Sequence, residues 1–374
     1  MKRLLVALAT AAFAAIGPAL SALAFTPQTG AATLAISWLH GQQAPDGTVA
    51  GSASRTEDTV FGLVANGQSV DGFSTAGKTP IDSLRSHIAE EEKTAGNIAG
   101  VIMAVSAVGL DPTKFAGRNL LQDLACTYDA STGAYNTQLF NDALAVLALP
   151  ASAAPAKAKD FLTSQQQADG GWEFQAGYGS DTNTTALVLM ALSSADALNA
   201  TAREKALHYF NLHQKPSGGF EYSTPYALPG DSDPNSDAAV IQALLVVGED
   251  PTGPAWTLAG KNAVTDLLTF QFENGGLGFS RPNSSATAKP DALSTTQALV
   301  ALASKHLPVK RTEGAMPSTC PPVPTTSPTP APTPTPPTTQ LAATGAPPSP
   351  LPVVPAIAGF AVAALGWRLR RRAR

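Results

Sequence analysis

The sequence predicts an all-α repeat protein made of stacked helical hairpins, and three observations carry that expectation. First, residues 157–192 read KAKDFLTSQQQADGGWEFQAGYGSDTNTTALVLMAL: a helical run, the turn Gly170-Gly171-Trp172, a polar loop, then a second, mostly apolar run. Glycine past a helix end supplies the left-handed turn that stops it. Asp181, Thr182, Asn183 and Thr184 are the residue types that open a new helix. Second, the unit recurs. KALHYFNLHQKPSGGF is followed by NSDAAVIQALL within 205–245, NAVTDLLTFQFENGGLGF by LSTTQALVAL within 262–302, and VIMAVSAVGLDP at 101–112 aligns with VIQALLVVGEDP at 240–251. Third, one reference position in the second helix of each copy gives Gly62, Ala104, Ala148, Ala191, Ala243 and Ala301, separated by 42, 44, 43, 52 and 58 residues. Self-similarity at such a period marks a repeat architecture. One hairpin cannot bury its own apolar face, so neighbours must stack.

The residues of these units carry a family resemblance. Lys157-Ala158-x2-Phe161-Leu162-x3-Gln166-x3-Gly170-x-Trp172 resembles the QW repeat of the squalene cyclase and prenyltransferase superfamily. Lys205-Ala206-x2-Tyr209-Phe210-x3-Gln214-x3-Gly218-x-Phe220 resembles it with Phe for Trp. Ala263, Leu267, Leu268, Gln271, Gly275 and Leu277 form a weaker copy, and Trp38, Leu39, Gln43 and Gly47 another. The resemblance covers residues 30–305 and implies a single (α/α)6 toroid, six inner helices ringed by six outer ones.

In chain order, residues 1–24 read as a signal peptide: Lys2-Arg3, an apolar run over 4–16, and Ala22-Leu23-Ala24 as a cleavage site after Ala24. An uncleaved anchor is the alternative. The toroid takes 25–312, with inner helices expected at 56–66, 95–108 and from 141, and outer helices at 80–92 and 115–126. The last inner helix is expected to run to His306, before Pro308. Residues 313–340 are a linker whose PSTCPPVPTTSPTPAPTPTPPTT cannot pack a core and reads as a stiff, extended spacer.

Residues 341–374 hold Leu341-Ala342-Ala343-Thr344-Gly345, an apolar stretch over 351–367 and five arginines. This resembles the sorting signal of Gram-positive surface proteins in its L-A-x-T-G variant. The resemblance implies a sortase-type transpeptidase as partner, cutting after Thr344. The apolar stretch is just long enough to span a bilayer as a transmembrane helix, and the arginines would hold its end inside. A plain membrane anchor is the alternative. Either places the toroid outside the cell.

Seven of the 24 bases lie in the two end segments, which leaves 17 against 28 acids, net −11, for the body. Such a surface excludes nucleic acid as a partner, because phosphate contacts need Lys and Arg. Cys126 and Cys320 form no C-x-x-C pair. Export would permit a disulfide between them, and a buried thiol with a free one is the alternative.

Candidate site residues follow from the register. Seven residues before the reference stand Arg55, Asn97, Asn141, Thr184, Ser236 and Ser294, and one residue later Thr56, Ile98, Asp142, Thr185, Asp237 and Thr295. Parallel inner helices would gather them as a polar ring at one mouth, where the helix dipoles favour an anionic or hydrogen-bonding ligand. Capping explains the same residue types without a ligand. Long loops over 220–234 and 278–289 carry Tyr222, Tyr226 and Phe279 as further binding candidates.

Asp233-Pro234-Asn235-Ser236-Asp237-Ala238-Ala239 resembles the D-P-D-x-D-D-T-A acid motif of class II terpene cyclases, with Asp237 at the proton-donating acid but Asn235 and Ala238 at its acidic neighbours. Aromatic residues, the usual carbocation stabilisers, make up only 6% of the chain. No Asp-x-Cys with a later inner-helix His occurs, so the zinc site of a protein prenyltransferase is not expected, nor is any other metal or cofactor. The C-G-E-Q of a complement-type thioester is absent as well. The acid pairs Glu57-Asp58 and Asp231/Asp233 leave an α/α-barrel hydrolase or lyase open, acting on a polysaccharide. Secreted toroids of the cobalamin-carrier type are similar in size, but their second domain has no counterpart here. The expectation is an exported, surface-anchored toroid that binds a ligand or surface partner without catalysis. The alternatives are a terpene cyclase-like enzyme with Asp237 as acid and a polysaccharide-active barrel.

Overall fold

In a computed structural model of the chain, residues 25–91, 94–135, 138–222 and 232–314 are described. They form α1 (Thr29–His40), α2 (Ala53–Ala65), α3 (Pro80–Ser86), α4 (Ile88–Glu91), α5 (Ala95–Ala107), α6 (Leu120–Ala125) and α7 (Leu139–Ala148). These are followed by α8 (Ala156–Ser164), α9 (Thr182–Ser194), α10 (Ala200–His213), α11 (Pro234–Val246), α12 (Ala263–Leu268) and α13 (Ala292–Leu302). A two-stranded antiparallel hairpin pairs β1 (Trp172–Glu173) with β2 (Ser180–Asp181).

The helices divide into two sets. α2, α5, α7, α9, α11 and α13 pack each on the next, and α13 packs back on α2. These inner helices are buried on nearly every side; α9 leaves only Ser193 outside the core. The flanking helices cover the seams: α1 lies against α13 and α2, α3 against α2 and α5, and α8 against α7 and α9. Each flanking helix buries one stripe. α10 buries Ala202, Ala206, Tyr209 and Phe210, the spacing of a one-sided amphipathic helix.

Local chemistry sets the inner helix starts. Ser52, Thr94, Asp181, Asp233 and Asp291 each cap a helix by accepting the amide of the residue three positions on. All lie ten residues before the reference positions. The turns that end the flanking helices carry Gly47, Gly133, Gly170, Gly218 and Gly275, with φ between 89° and 94°. A Cβ at Gly170 would run into the Lys205 carbonyl, and one at Gly275 into the Leu34 carbonyl of α1. A glutamine seals four of these five joints, and Asp129 stands in its place before Gly133. Gln166 Nε2 donates to the carbonyls of Gly170 and Ala202, both at 2.9 Å. Gln214 Nε2 donates to Gly218 at 2.8 Å and Trp256 at 2.9 Å. Gln271 Nε2 reaches Gly275 and Ala31, both at 2.8 Å, and so ties the last copy to the first helix. Trp172 is fully buried and its indole N–H donates to Leu162 O at 2.8 Å.

Three helix expectations are corrected. Instead of a helix over 115–126 there is a 3-10 turn at Pro112–Lys114 and then the short α6, because Ala116 (φ 52°) and Gly117 (φ 77°) reverse the chain between them. The 80–92 helix is split into α3 and α4. The last inner helix stops at Leu302, four residues before His306, where Ser304 turns left-handed at φ 53°.

Cys126, at the end of α6, is disulfide-bonded. Cys320, Ala24, the linker, Leu341, Ala342, Ala343, Thr344, Gly345 and the C-terminal apolar stretch lie outside the described residues. No helix among the described residues is long and apolar enough to cross a membrane.

Candidate functional site: two faces of the inner helices

The site is defined by which way each inner-helix position faces. Six residues before the reference, the side chain accepts a backbone amide from the turn of its own repeat. Thr56 Oγ1 accepts from Val49 at 2.9 Å, Thr185 from Trp172 at 2.9 Å, Asp237 Oδ1 from Phe220 at 2.7 Å and Thr295 from Leu277 at 2.9 Å. Asp142 Oδ1 does the same for Tyr135. This position therefore faces the flanking layer. Asp237, the sequence candidate for the proton donor, stands where three other repeats use threonine.

Asp237 belongs to a buried acidic cluster in that outer seam. Its carboxyl and that of Asp266 on α12 converge on the space where Gly219 would carry a Cβ. Arg281 Nη2 donates to Asp266 Oδ1 at 2.8 Å, to Oδ2 at 3.0 Å and to Ser232 Oγ at 2.8 Å. Its guanidinium lies 4.2 Å from the centre of the Phe270 ring. Burial, and then the Asp266 charge, push the Asp237 carboxyl well above the usual carboxylate range.

The ring seven residues before the reference is present but packed between inner helices. Asn141, Thr184, Ser236 and Ser294 are buried, and Asn97 is half-buried. Ser294 Oγ donates to Asn235 Oδ1 on the neighbouring helix at 3.1 Å, and Asn141 Nδ2 to Gln138 at 3.0 Å. The amides of Asn97, Thr184, Ser236 and Ser294 donate the capping bonds. Of the loop candidates, Tyr222 is half-buried and its carbonyl accepts from Thr182 N at 2.8 Å. Phe279 is exposed, with its amide donating to Asp291 Oδ2 at 2.8 Å. Tyr226 lies outside the described residues. Among the described residues no group of three His, Cys, Asp or Glu is placed to hold a metal ion.

The opposite face was not singled out from the sequence. At 100° per residue, positions two residues either side of the outward one point roughly the other way, and the position five residues after it lies about 140° away on the same side. Four residues before the reference stand Asp58, Gly100, Leu144, Leu187, Ala239 and Gln297, and one residue before it Phe61, Met103, Leu147, Met190, Gln242 and Val300. The side chains at these two positions keep 1–7% of their exposure, whereas those between them, such as Val60, Val101, Val188 and Val240, keep 0%. Residual access is thus concentrated on the inward stripe. That stripe is divided. Met103, Leu144, Leu147, Leu187 and Met190 make these two positions apolar on α5, α7 and α9, while Asp58, Gln242 and Gln297 add polar side chains beside Phe61, Ala239 and Val300 on α2, α11 and α13; two residues before the outward position, Phe140 adds a ring on α7 and Asn183 an amide on α9. The reference alignment could have revealed this stripe, because it needs only a 3.6-residue period.

Burial also raises other carboxyls: Asp58 to about 6, Asp233 to about 6 and Asp181 to about 7. Hydrogen bonds oppose the shift in each, from Thr296 to Asp58, from Ser236 to Asp233 and from Thr184 to Asp181. Arg55 also opposes it at Asp58. A carboxyl whose folded pKa is raised holds its proton more tightly when folded. Its contribution to stability is complete below about pH 4 and is lost as pH rises through the folded value. Melting followed by calorimetry is therefore expected to fall by roughly 5 °C or more between pH 5 and pH 8. A melting temperature that stays flat or rises over that range would contradict the burial of these groups.

No known family's sequence profile and no curated protein sequence matches this chain. Solved structures do. The chain is similar to the type II terpene cyclase MstE from Scytonema in its apo form, with 15% identity and a TM-score of 0.56, covering 76% of this chain and 98% of that one. It is similar to a variant of that cyclase in complex with its substrate geranylgeranyl dihydroxybenzoate, at 14% identity and TM-score 0.55, covering 74% and 97%. A protein from Actinoplanes matches at 14% identity and TM-score 0.54, covering 74% and 99%. The chain has a terpene cyclase-like helical fold. This corrects the expectation of a non-catalytic binder: the solved structures of this fold include a cyclase captured with its product and with its substrate.

Proposed function

We propose that this chain is an isoprenoid cyclase of the class II type, built on a single (α/α)6 toroid whose lumen is the inward stripe. The divided stripe carries the reading. A polyene chain needs an apolar wall along which to fold, and Phe140, Leu144, Leu147, Leu187 and Met190 supply it. Protonation of an alkene needs an acid shielded from water, and the polar wall on α2, α11 and α13 faces that apolar surface. Phe61 and Phe140 place aromatic rings on the same stripe, where they can stabilise a carbocation. The closed succession of inner helices and the Gln271–Ala31 joint support a toroid.

The same proposal covers the ends of the chain. Residues 1–24 direct export, 313–340 space the toroid from the membrane, and the Leu341–Gly345 signal with its arginine tail anchors it outside. Cys126 pairs with Cys320, the chain's second cysteine, and fastens the start of the linker to α6. An anchored toroid would meet its isoprenoid at the outer membrane surface.

The test is incubation of the full chain with linear isoprenoids, among them geranylgeranyl-substituted aromatic acids and squalene. The expected product has the mass of the substrate and fewer double bonds. In heavy water it carries one deuterium on a former alkene carbon. Recovery of every substrate unchanged would remove the cyclase reading.

A further inference from the structure

Asp237 cannot reach the lumen from the outward position it occupies, which leaves the proposed reaction without its expected acid. We infer that Asp58, on α2, is the residue that protonates the substrate; this rests on the cyclase reading above. Asp58 stands on the inward stripe with 7% of its surface accessible, so its carboxyl is shielded from bulk water. Thr296 on α13 donates to Oδ2 at 3.4 Å and orients it. Glu57 lies alongside on the neighbouring face, against Gly100 of α5, where a Cβ would collide with its carboxylate. Gly100 therefore leaves room for the second acid beside the first.

A separate observation points to a ligand in this space. Asn183 Oδ1 and Gln242 Oε1 are buried, at 4% exposure each, and have no hydrogen-bond partner. Both residues lie on the same inward stripe, on α9 and α11. A buried acceptor without a partner costs about 1–3 kcal/mol, so a lumen that keeps two of them is built to receive a donor group. A hydroxyl at the head of an isoprenoid has that chemistry.

The step balances within the lumen. The O–H bond of Asp58 breaks as the electron pair of the terminal C=C forms a new C–H bond, which leaves a tertiary carbocation and the Asp58 carboxylate. Each further double bond attacks the cation in turn and closes a ring. The last cation loses a neighbouring proton to solvent, and that C–H pair becomes the product's double bond. Solvent then reprotonates Asp58. The product is an isomer of the substrate.

The experiment compares Asp58→Asn and Asp237→Asn in the full chain with the isoprenoid that the unaltered protein converts, in heavy water. Asp58→Asn keeps the shape and the Thr296 contact and is expected to lower turnover by 10²-fold or more, with loss of deuterium from the product. Asp237→Asn keeps the acceptor for Phe220 N–H and is expected to retain turnover within about threefold. Asp58→Glu, which restores a proton, is expected to recover part of the rate. Turnover retained in Asp58→Asn, or abolished in a folded Asp237→Asn, overturns the assignment and leaves the cyclase reading standing. An unaltered protein that converts nothing removes the cyclase reading itself, and the assignment with it. Circular dichroism melts on every variant separate lost chemistry from lost fold.

Discussion

Gly218→Ala is expected to destabilise the chain by roughly 2–5 kcal/mol, the sum of a left-handed backbone cost and an overpacking cost. Gly218 sits at φ 89°, and a Cβ there would run into the backbone of Lys261 and Asn262. Asn262 caps α12 and holds a capping box with Thr265, so the obstacle is a fixed helix start and not a flexible side chain. Gln214 bonds the Gly218 carbonyl on one side of this joint and the Trp256 carbonyl on the other, and a shift that relieves the clash strains that pair of bonds. Gly117→Ala is the control. Gly117 has φ 77° with nothing within 4 Å of an added Cβ, so only the backbone cost of about 1–2 kcal/mol is expected. Urea titrations of both variants make the comparison. Equal losses would mean that the repeats do not meet as closely as these contacts require.

That difference explains why the repeats could be read from sequence. Wherever one copy's turn touches the next copy's helix, no side chain fits, so glycine must recur there. The glutamine four residues earlier recurs because it bonds both sides of the joint. The Ser, Thr and Asp caps likewise fix the inner helix starts to within about three residues, as at α2, which opens at Ala53 and not at Thr56. The reading failed where meaning depends on facing. Asp237 matches an acid motif as a string of letters, but its direction is decided by a 200° rotation relative to its neighbours two positions away. Its threonine counterparts Thr185 and Thr295 were visible in the same alignment and indicated a structural acceptor. Glu57-Asp58 was noted as an acid pair, and only the ring of helices shows that Asp58 faces inward. The 115–126 segment looked helical because its apolar spacing is right, but Gly117 breaks the chain there and Asn119 caps a shorter helix, and both letters were passed over.

Arg281→Ala tests the other half of the assignment, that the Asp237 cluster is structural. Asp266 is buried to 3% of its side-chain surface, and Arg281, about one-third exposed, is its ion-pair partner. Ser232 also bonds both members of the pair. Removing the guanidinium leaves the carboxyls of Asp266 and Asp237 side by side in the seam between α11 and α12. Breaking a buried pair by deleting one partner costs about 3–5 kcal/mol, because the remaining charge keeps its desolvation penalty. The expected loss is largest near pH 8, where the Asp237 carboxyl, held well above the usual carboxylate range by burial and then by the Asp266 charge, is pressed to ionise, and smaller at pH 5, where it keeps its proton. Asp266→Asn in the same background removes the stranded charge and is expected to restore most of the loss. Denaturant unfolding at the two pH values reads all three variants. If Arg281→Ala leaves stability unchanged but stops turnover, the cluster would hold the reacting group after all, and the proton donor would have to be sought in the outer seam. If stability falls and the Asp266→Asn background recovers it with turnover intact, the acids of the outer seam hold the fold together and the chemistry is left to the inward stripe.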